Sequence, residues 1–291
     1  MTQEAFNRKA EDLGNVVNLG HVNHRVPDQR LATIFYVSGL GLTRDPAMMT
    51  GVDNMWVNVG ESQFHLPTGA AVVGPGIVTG LVTPDLKALA QRLARARKLL
   101  DGTHFDFRET NDCVEATCPW GNHIRCHAPD EARFGPIGLG MAYVSFEVAR
   151  GATKAIAHFY REVLGANANV EIGEQGERAL VEVGHHQRLV FEEREHPAPD
   201  CPDHHVQIYL ANFSGPYRAL QKIDGVSEES NRYQYRFNKI CDLETGATLL
   251  TLDHEMRSMT HPMYGRHLVN RDPTQTAAGY RAGGDFHHWA D

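Results

Sequence analysis

The stretch that decides the fold is LGHVNHRVPD, residues 19–28, which is followed by FY at 35–36 and GLGL at 39–42. Its apolar and polar side chains alternate, so Val22, His24 and Val26 fall on one face of a period-two strand. The other face presents an imidazole, an amide and a guanidinium, from His21, Asn23 and Arg25. That face indicates a polar cavity, although an edge strand with a solvated outer face also explains this stretch taken alone.

The same pattern recurs three more times along the chain. Alternating strands begin near residues 21, 78, 143 and 205, and an amphipathic helix follows each of them. Each copy then ends in another strand, at 63–66, 122–126, 188–191 and 248–252. The repetition predicts four modules, each with one strand, one helix and several further strands.

This organisation resembles the vicinal oxygen chelate superfamily, which includes glyoxalase I, bleomycin-resistance proteins and extradiol dioxygenases. The resemblance covers residues 17–257. It rests on the opening with His21, FY and GLG, and on CPWGN at 118–122, which is similar to the family's Asp-Pro-x-Gly-Asn turn. It implies an α+β fold in which four βαβββ modules form two glyoxalase-like domains with curved mixed sheets. The fold hosts several chemistries and some pure binders, so function must be argued from the site.

The domain organisation follows from the module boundaries. We expect a lead-in at 1–16, an N-terminal glyoxalase-like domain at 17–133, a C-terminal one at 137–257 and a C-terminal arm at 258–291. The proline- and glycine-containing stretch APDEARFGP, residues 128–136, is the predicted linker between the two domains.

Composition limits the class of protein. A net charge of -8 and the absence of a basic stripe argue against nucleic-acid or membrane-surface partners. The five cysteines have no regular spacing and indicate reduced thiols in the cytoplasm. The first residues lack the features of a signal peptide, and no apolar run approaches transmembrane length. We therefore expect a soluble cytoplasmic protein that binds a small molecule, and a homodimer is left open.

The resemblance also implies which residues would bind a metal, because ligands in this superfamily come from the first and last strands of a module. The corresponding positions are His21 and His65 in module one, Tyr143 and Val190 in module three, and His205 and Leu250 in module four. Module two has Arg125 where the family usually shows Glu. A guanidinium there argues against a neighbouring cation and favours an anionic ligand.

Two ways of pairing the modules are then open. If consecutive modules pair, as in extradiol dioxygenases, His205 lies apart from the other histidines and needs Glu255 as a partner. If modules one and four face each other, as in long monomeric glyoxalases, three histidines converge and Glu255 or His254 is available as a fourth group. We favour the second pairing because it gathers the candidate ligands His21, His65 and His205 more economically.

Further residues have candidate roles in catalysis and binding. Tyr143, on a predicted cavity face, is a candidate proton donor, and His254 is a second catalytic candidate. The predicted substrate-binding residues are Asn23, Arg25, Gln207 and Tyr209.

The sequence leaves three functions open. The first is a metal-dependent enzyme that binds a small oxygenated, aromatic or catecholic substrate through vicinal oxygens, in a dioxygenase-like reaction at non-haem Fe(II). The second is a glyoxalase-like lyase or isomerase that uses Zn or Ni, with Mn as a further candidate metal. The third is a metal-free protein of the bleomycin-resistance type that sequesters a small molecule, which Arg125 and Leu250 favour.

Overall fold

The computed structural model describes residues 7–45, 53–173 and 176–266. Modules one and two have the predicted order of elements. Module one consists of β1 (Val16–Asn23), α1 (Gln29–Ala32), β2 (Thr43–Arg44), β3 (Asn54–Val59) and β4 (Ser62–Pro67). Module two consists of β5 (Ile77–Val82), α2 (Leu86–Ala96), β6 (Asp106–Glu109), β7 (Cys113–Thr117) and β8 (His123–His127).

The second half of the chain repeats this order after a short helix, α3 (Glu131–Phe134), in the predicted linker. Module three consists of β9 (Gly140–Ala149), α4 (Thr153–Phe159), β10 (Ala168–Gly173), β11 (Gly176–Gly184) and β12 (Gln187–Arg194). Module four consists of β13 (His205–Leu210), α5 (Ser214–Lys222), β14 (Val226–Asn231), β15 (Gln234–Cys241) and β16 (Thr248–Ser258). The prediction of four βαβββ modules and an α+β fold is confirmed.

Short helical segments complete these elements. Single turns of 3-10 helix occur at Arg8–Glu11 and Arg97–Leu99, and π-helical segments at Thr33–Gly39 and Tyr160–Leu164 extend α1 and α4. The helices of modules one and two begin at a Pro-Asp pair, and the Asp28 and Asp85 carboxylates accept hydrogen bonds from backbone amides of the first turn. Among the described residues, no helix combines the length and the apolar character needed to cross a bilayer.

The strands form two curved eight-stranded sheets. The first sheet has the order β14-β15-β16-β13-β1-β4-β3-β2 and combines modules four and one. The second sheet has the order β10-β11-β12-β9-β5-β8-β7-β6 and combines modules three and two. In each sheet the first strands of the two modules pair antiparallel at the centre, β1 with β13 and β5 with β9. The favoured pairing of modules one and four is therefore confirmed.

The helices join consecutive modules, one with two and three with four, whereas the strands join modules one with four and two with three. The π-helical extension of α1 packs on α2, and α5 packs on the extension of α4. Consecutive modules thus meet through helices, whereas their strands belong to different sheets. The predicted boundary at 133–137 divides the chain into halves. Each sheet takes four strands from each half, so this boundary does not separate the two sheets.

The apolar faces of the first strands lie in the core, as the alternation predicts. Val22, Phe146 and Val206 are at most 3% exposed. The core also holds three histidines. His24 shares a hydrogen bond of 2.9 Å with the Tyr36 hydroxyl, and His204 packs between the rings of His24 and Phe146.

His254, the third core histidine, lies on the core side of β16 and is fully buried. Its Nε2 lies 2.6 Å from the Tyr160 hydroxyl, and its ring stacks on Phe237 with centroids 4.2 Å apart. Burial lowers the pKa of all three core histidines, well below 6.5 for His24, to about 4 for His204 and to about 3 for His254.

We predict that Phe146→Ala lowers the free energy of unfolding by ~3–5 kcal/mol, the usual cost of removing a buried aromatic ring. Phe146 is 3% exposed and stacks on Phe191 with centroids 5.3 Å apart, so truncation leaves a cavity between β9 and β12. Urea unfolding of both proteins at one pH measures the difference. An unchanged midpoint would contradict the assigned face of β9.

The core histidines predict a loss of stability in mild acid. The unfolded chain takes up their protons near the ordinary pKa of ~6.5, whereas the folded chain keeps these rings neutral to lower pH. Unfolding therefore binds protons, and each histidine removes up to ~1.4 kcal/mol of stability per pH unit below ~6.5. Urea unfolding of metal-free protein between pH 7.5 and 5.5 tests this. Equal midpoints across that range would contradict it.

Candidate metal centre

A bulge in β1 turns its polar residues toward the concave face of the first sheet. Leu19 and Val22 are both fully buried in the core, which an unbroken alternation would not allow, and the pairing with β13 shifts register between Leu19 and His21. Gly20 occupies the bulge. A Cβ atom there would lie 1.9 Å from Oε1 of Gln207, so the absence of a side chain at Gly20 lets the buried amide lie over the strand.

The register of the central strands then places the candidate ligands in neighbouring rows. His21 lies opposite Gln207 on β13 and opposite Gln63 on β4. Asn23 lies opposite His205 on β13 and opposite His65 on β4. All of these side chains therefore share the concave face.

Module four repeats this arrangement about an approximate two-fold axis. On β16, Asp253 lies opposite His205, and Glu255 lies opposite Gln207. The position of His21 in module one thus corresponds to His205 in module four, and His65 corresponds to Glu255.

The expectation that Leu250 stands at the ligand position of the last strand is wrong. Leu250 pairs with Ile240 on β15 and packs in the hydrophobic core. Leu250, Leu252 and Met256 share the core face of β16, so the odd-numbered Glu255 points to the opposite side. Glu255, and not Leu250, therefore occupies the ligand position on β16.

The three histidines converge at the centre of the concave face. Nε2 of His21 lies 3.2 Å from Nε2 of His205, and one donor atom from each of His21, His65 and His205 lies within 4.8 Å of the others. Oε2 of Glu255 lies 3.7 Å from Nε2 of His205. Four candidate ligands from four strands therefore meet in one place.

Burial and two arginines keep these imidazoles neutral. Burial, and then the nearby Arg257, hold the pKa of His21 well below its usual range. Burial and Arg236 do the same for the pKa of His205, and burial lowers the pKa of His65 to about 3. Neutral imidazole is the form that binds metals, so the cluster is available for coordination at neutral pH.

Glu255 is held in place by both arginines. Its Oε2 accepts a hydrogen bond of 2.5 Å from Arg236, and its Oε1 lies 2.6 Å from a guanidinium nitrogen of Arg257. Arg236 also donates to Asp253 at 2.5 Å. Burial nevertheless raises the pKa of Glu255, although both guanidiniums oppose this shift. The carboxylate is fixed beside the histidines and is well placed to exchange a proton.

Aromatic and amide side chains complete the walls. The ring of Trp56 stacks on His65 with centroids 3.9 Å apart and meets the edge of His21. His65 is oriented by Asn54, whose Oδ1 lies 2.8 Å from Nε2, and by Asn23 at 3.3 Å from Nδ1. These contacts fix the ring plane of a candidate ligand.

The described part of the C-terminal arm crosses this face. Tyr264 packs against Tyr209 with ring centroids 4.9 Å apart. Arg266 forms an ion pair with the buried Asp45, which also accepts a hydrogen bond of 2.8 Å from Gln63. The segment therefore reaches from β16 to the far side of the first sheet and covers one end of the cavity. Residues 267–291 of the predicted arm lie outside the described residues.

The structure brings together most of the predicted site residues, but not all. His254 faces the core, so it cannot act as a fourth group beside the histidines. Tyr143 lies on β9 in the second sheet and does not reach the cluster. Arg25 lies at the end of β1, where it is 40% exposed and pairs with Asp203 at 3.2 Å. None of these three residues therefore belongs to the histidine cluster, and their roles in catalysis and binding stay predictions.

Trp56, Arg236 and Arg257 were missed. A signal for Trp56 was present, because Asn54, Trp56 and Asn58 alternate with the core residues of β3 directly before the strand of His65. Arg257 likewise follows Asp253 and Glu255 at period two on β16. Arg236 lies opposite Glu255 on β15, which depends on a register that local alternation does not specify.

No family model and no curated protein matches this sequence. Solved structures do resemble it. A "putative dioxygenase" from Bacillus subtilis has a TM-score of 0.56 and 15% identity over 85% of this chain and 86% of its own. Glyoxalase I from Zea mays has a TM-score of 0.57 and 13% identity over 84% of this chain and 92% of its own. A variant of the Zea mays enzyme has a TM-score of 0.60 at 14% identity, with coverages of 84% and 92%.

At these identities the likeness concerns the fold. The curved sheets, the four modules and these structural neighbours agree with the resemblance seen in the sequence. The fold of this chain is therefore the one seen in these glyoxalase I and putative dioxygenase structures.

Proposed function

We propose that the concave face of the first sheet holds a divalent metal and that the protein is an enzyme acting on a small substrate with vicinal oxygens. The metal ligands in this proposal are His21, His65 and His205, with Glu255 as the fourth group. One observation carries it: three neutral imidazoles from three strands, two of them buried and that of His65 half-buried, converge within 4.8 Å of one another. Uncharged polar groups are rarely gathered in this way without a ligand to bind.

The donor set fits such a metal. Imidazole nitrogens suit Fe, Zn and Ni, and two of these histidines together with Glu255 form the two-histidine, one-carboxylate combination used by non-haem Fe(II) enzymes. Nε2 of Gln207 lies beside this group, is buried, and has no hydrogen-bond partner among the described residues. It is therefore free to donate to an oxygen of a bound substrate.

A bound divalent metal supplies Lewis acidity, and Fe(II) in addition supplies redox chemistry with dioxygen. The protein's own groups orient and protect the substrate. Trp56 and Tyr209 provide flat aromatic walls, Gln207 provides a hydrogen-bond donor, and Glu255, with its raised pKa, can accept or return a proton. The C-terminal segment around Tyr264 and Arg266 limits access of water from one end.

We favour a dioxygenase-like reaction on an aromatic or catecholic substrate. The aromatic walls and the available two-histidine, one-carboxylate set support it. A glyoxalase-like lyase or isomerase is the second candidate, favoured by a buried carboxyl group of raised pKa next to the metal position. The acidic charge and the free cysteines keep the cytoplasm as the proposed compartment and a small molecule as the proposed partner.

We predict that wild-type protein binds one equivalent of Fe(II), Zn(II) or Ni(II) at neutral pH and that His205→Ala abolishes stoichiometric binding. His205 lies on the concave face, so its truncation should leave the protein folded. Elemental analysis after gel filtration measures the metal, and circular dichroism checks the fold. His185→Ala is the matched control, because that side chain is exposed and lies in the turn between β11 and β12 of the second sheet.

A wild-type protein that binds no divalent ion, or a His205→Ala variant with full occupancy, would overturn the metal site. In that case a metal-free sequestering protein would be the better explanation of the cavity. His21→Ala and Glu255→Gln then define the ligand set, because only residues that coordinate the metal should reproduce the loss.

The reaction class is tested separately with metal-reconstituted protein. If the dioxygenase proposal holds, a substituted catechol should be consumed together with dioxygen by the Fe(II) form and not by the Zn(II) form. An oxygen electrode and ultraviolet absorbance follow the two reactants. Turnover of an α-hydroxy carbonyl compound by the Zn(II) or Ni(II) form without oxygen uptake would instead support the lyase or isomerase.

A further inference from the structure

The second sheet has a concave face of its own, which encloses a cavity of about 980 Å³. It is lined by residues of β7, β8, β9, β11 and β12, among them Arg125, Tyr143, Arg188 and Val190. Nothing in the proposed metal chemistry uses this cavity.

Strand register shows what replaces the metal ligands there. Gly80 on β5 lies opposite Tyr143 on β9, and the parallel neighbours are Arg125 for Gly80 and Arg188 for Tyr143. Compared row by row with the first sheet, the four ligand positions are occupied by Val78, Arg125, Tyr143 and Val190. A guanidinium and a phenol therefore stand where the other cavity has imidazoles and a carboxylate.

Gly80 allows Arg125 and Tyr143 to approach each other. A Cβ atom at Gly80 would lie 2.1 Å from the Tyr143 ring, so the ring rests directly on the bare backbone. The Tyr143 hydroxyl lies 3.0 Å from Nε2 of His127, and burial raises the pKa of Tyr143 to about 12 although Arg125 opposes this. Tyr143 is thus a neutral phenol, and it lies beside Arg125 at the base of the cavity.

Five arginines and five carboxylates line the cavity, but the carboxylates are not shared equally among the arginines. Arg125 is 47% exposed and donates to Glu115 at 3.1 Å, but the same carboxylate also pairs with Arg108. Arg188 is half-buried, and no carboxylate in the described ranges lies within ion-pair distance of it. At the rim, by contrast, Arg133 is matched by Asp112 and Arg178 by Glu171. Arg194 is likewise matched by Glu192, so Arg188, in the same cross-strand row as Arg125, is the lining arginine without a carboxylate partner among the described residues.

Apolar side chains adjoin this charged row. Val190, next to Ser145 on β9, is 8% exposed and lies across the ladder from Leu180 on β11. A ligand that satisfies both features has one anionic end and one apolar end. Planar guanidiniums bind carboxylates through paired hydrogen bonds.

We propose that the second cavity is a binding site for a small organic carboxylate with an apolar or aromatic body. The carboxylate lies between Arg125 and Arg188, and the body rests on Val190 and Leu180. This site is separate from the metal centre and does not depend on it.

Isothermal titration of the full chain with benzoate tests the site, with benzamide as the neutral probe of the same shape. We expect benzoate to bind one site and benzamide to bind at least tenfold more weakly. Arg125→Gln and Arg188→Gln should each weaken benzoate binding about tenfold or more, the usual effect of removing a charge-assisted hydrogen bond. Arg108→Gln is the matched control, since Arg108 shares the Glu115 carboxylate but does not line this cavity.

His205→Ala, in the first sheet, should leave benzoate affinity unchanged. The proposal is overturned if benzoate does not bind, if it binds no better than benzamide, or if both arginine variants keep the wild-type affinity. Loss of binding in His205→Ala would also overturn it, because the probe would then be reporting the first cavity. Melting curves of Arg125→Gln and Arg188→Gln verify that these variants are folded. Arg188→Lys keeps the positive charge but loses the planar guanidinium, so it should bind benzoate with intermediate affinity.

Discussion

The antiparallel pairing of β1 with β13 is the interaction on which the rest of the structure depends. It joins strands from opposite ends of the chain and places His21 and His205, 184 residues apart, with their Nε2 atoms 3.2 Å from each other. The bulge at Gly20 is part of the same interaction, because it turns His21 toward the concave face while Leu19 and Val22 remain in the core. Without this ladder the two candidate ligands of module one would not meet the two of module four.

Placing polar groups at the centre of a sheet has an electrostatic cost, and the first cavity limits it in two ways. Burial removes the proton from the histidines, so their rings enter the cavity uncharged. Glu255, which would otherwise be an isolated buried charge, is bracketed by Arg236 and Arg257. The same contacts that make the cluster tolerable in the fold also keep it in the state that binds a cation.

The two sheets show how one scaffold supports different chemistry. Their central ladders have the same topology, yet the residues at equivalent positions differ in charge: imidazoles and a carboxylate in one, a guanidinium and a phenol in the other. The first set suits a cation and the second an anion. A cation and an anion can therefore bind to one chain without competing for the same face of a sheet.

The four modules, the strand faces and the place of His21, His65 and His205 on those faces could be predicted from the sequence, because alternation is encoded within a few neighbouring residues. The assignment of Leu250 and the role given to His254 failed where that alternation on β16 was read with the wrong parity, although Leu252 and Met256 carried the correct signal. Three features depend on how the strands pair in the folded chain: modules one and four share a sheet, Arg236 lies opposite Glu255, and Tyr143 belongs to a second cavity. Four similar modules can pair in more than one way, and the choice depends on burial between strands that are distant in sequence.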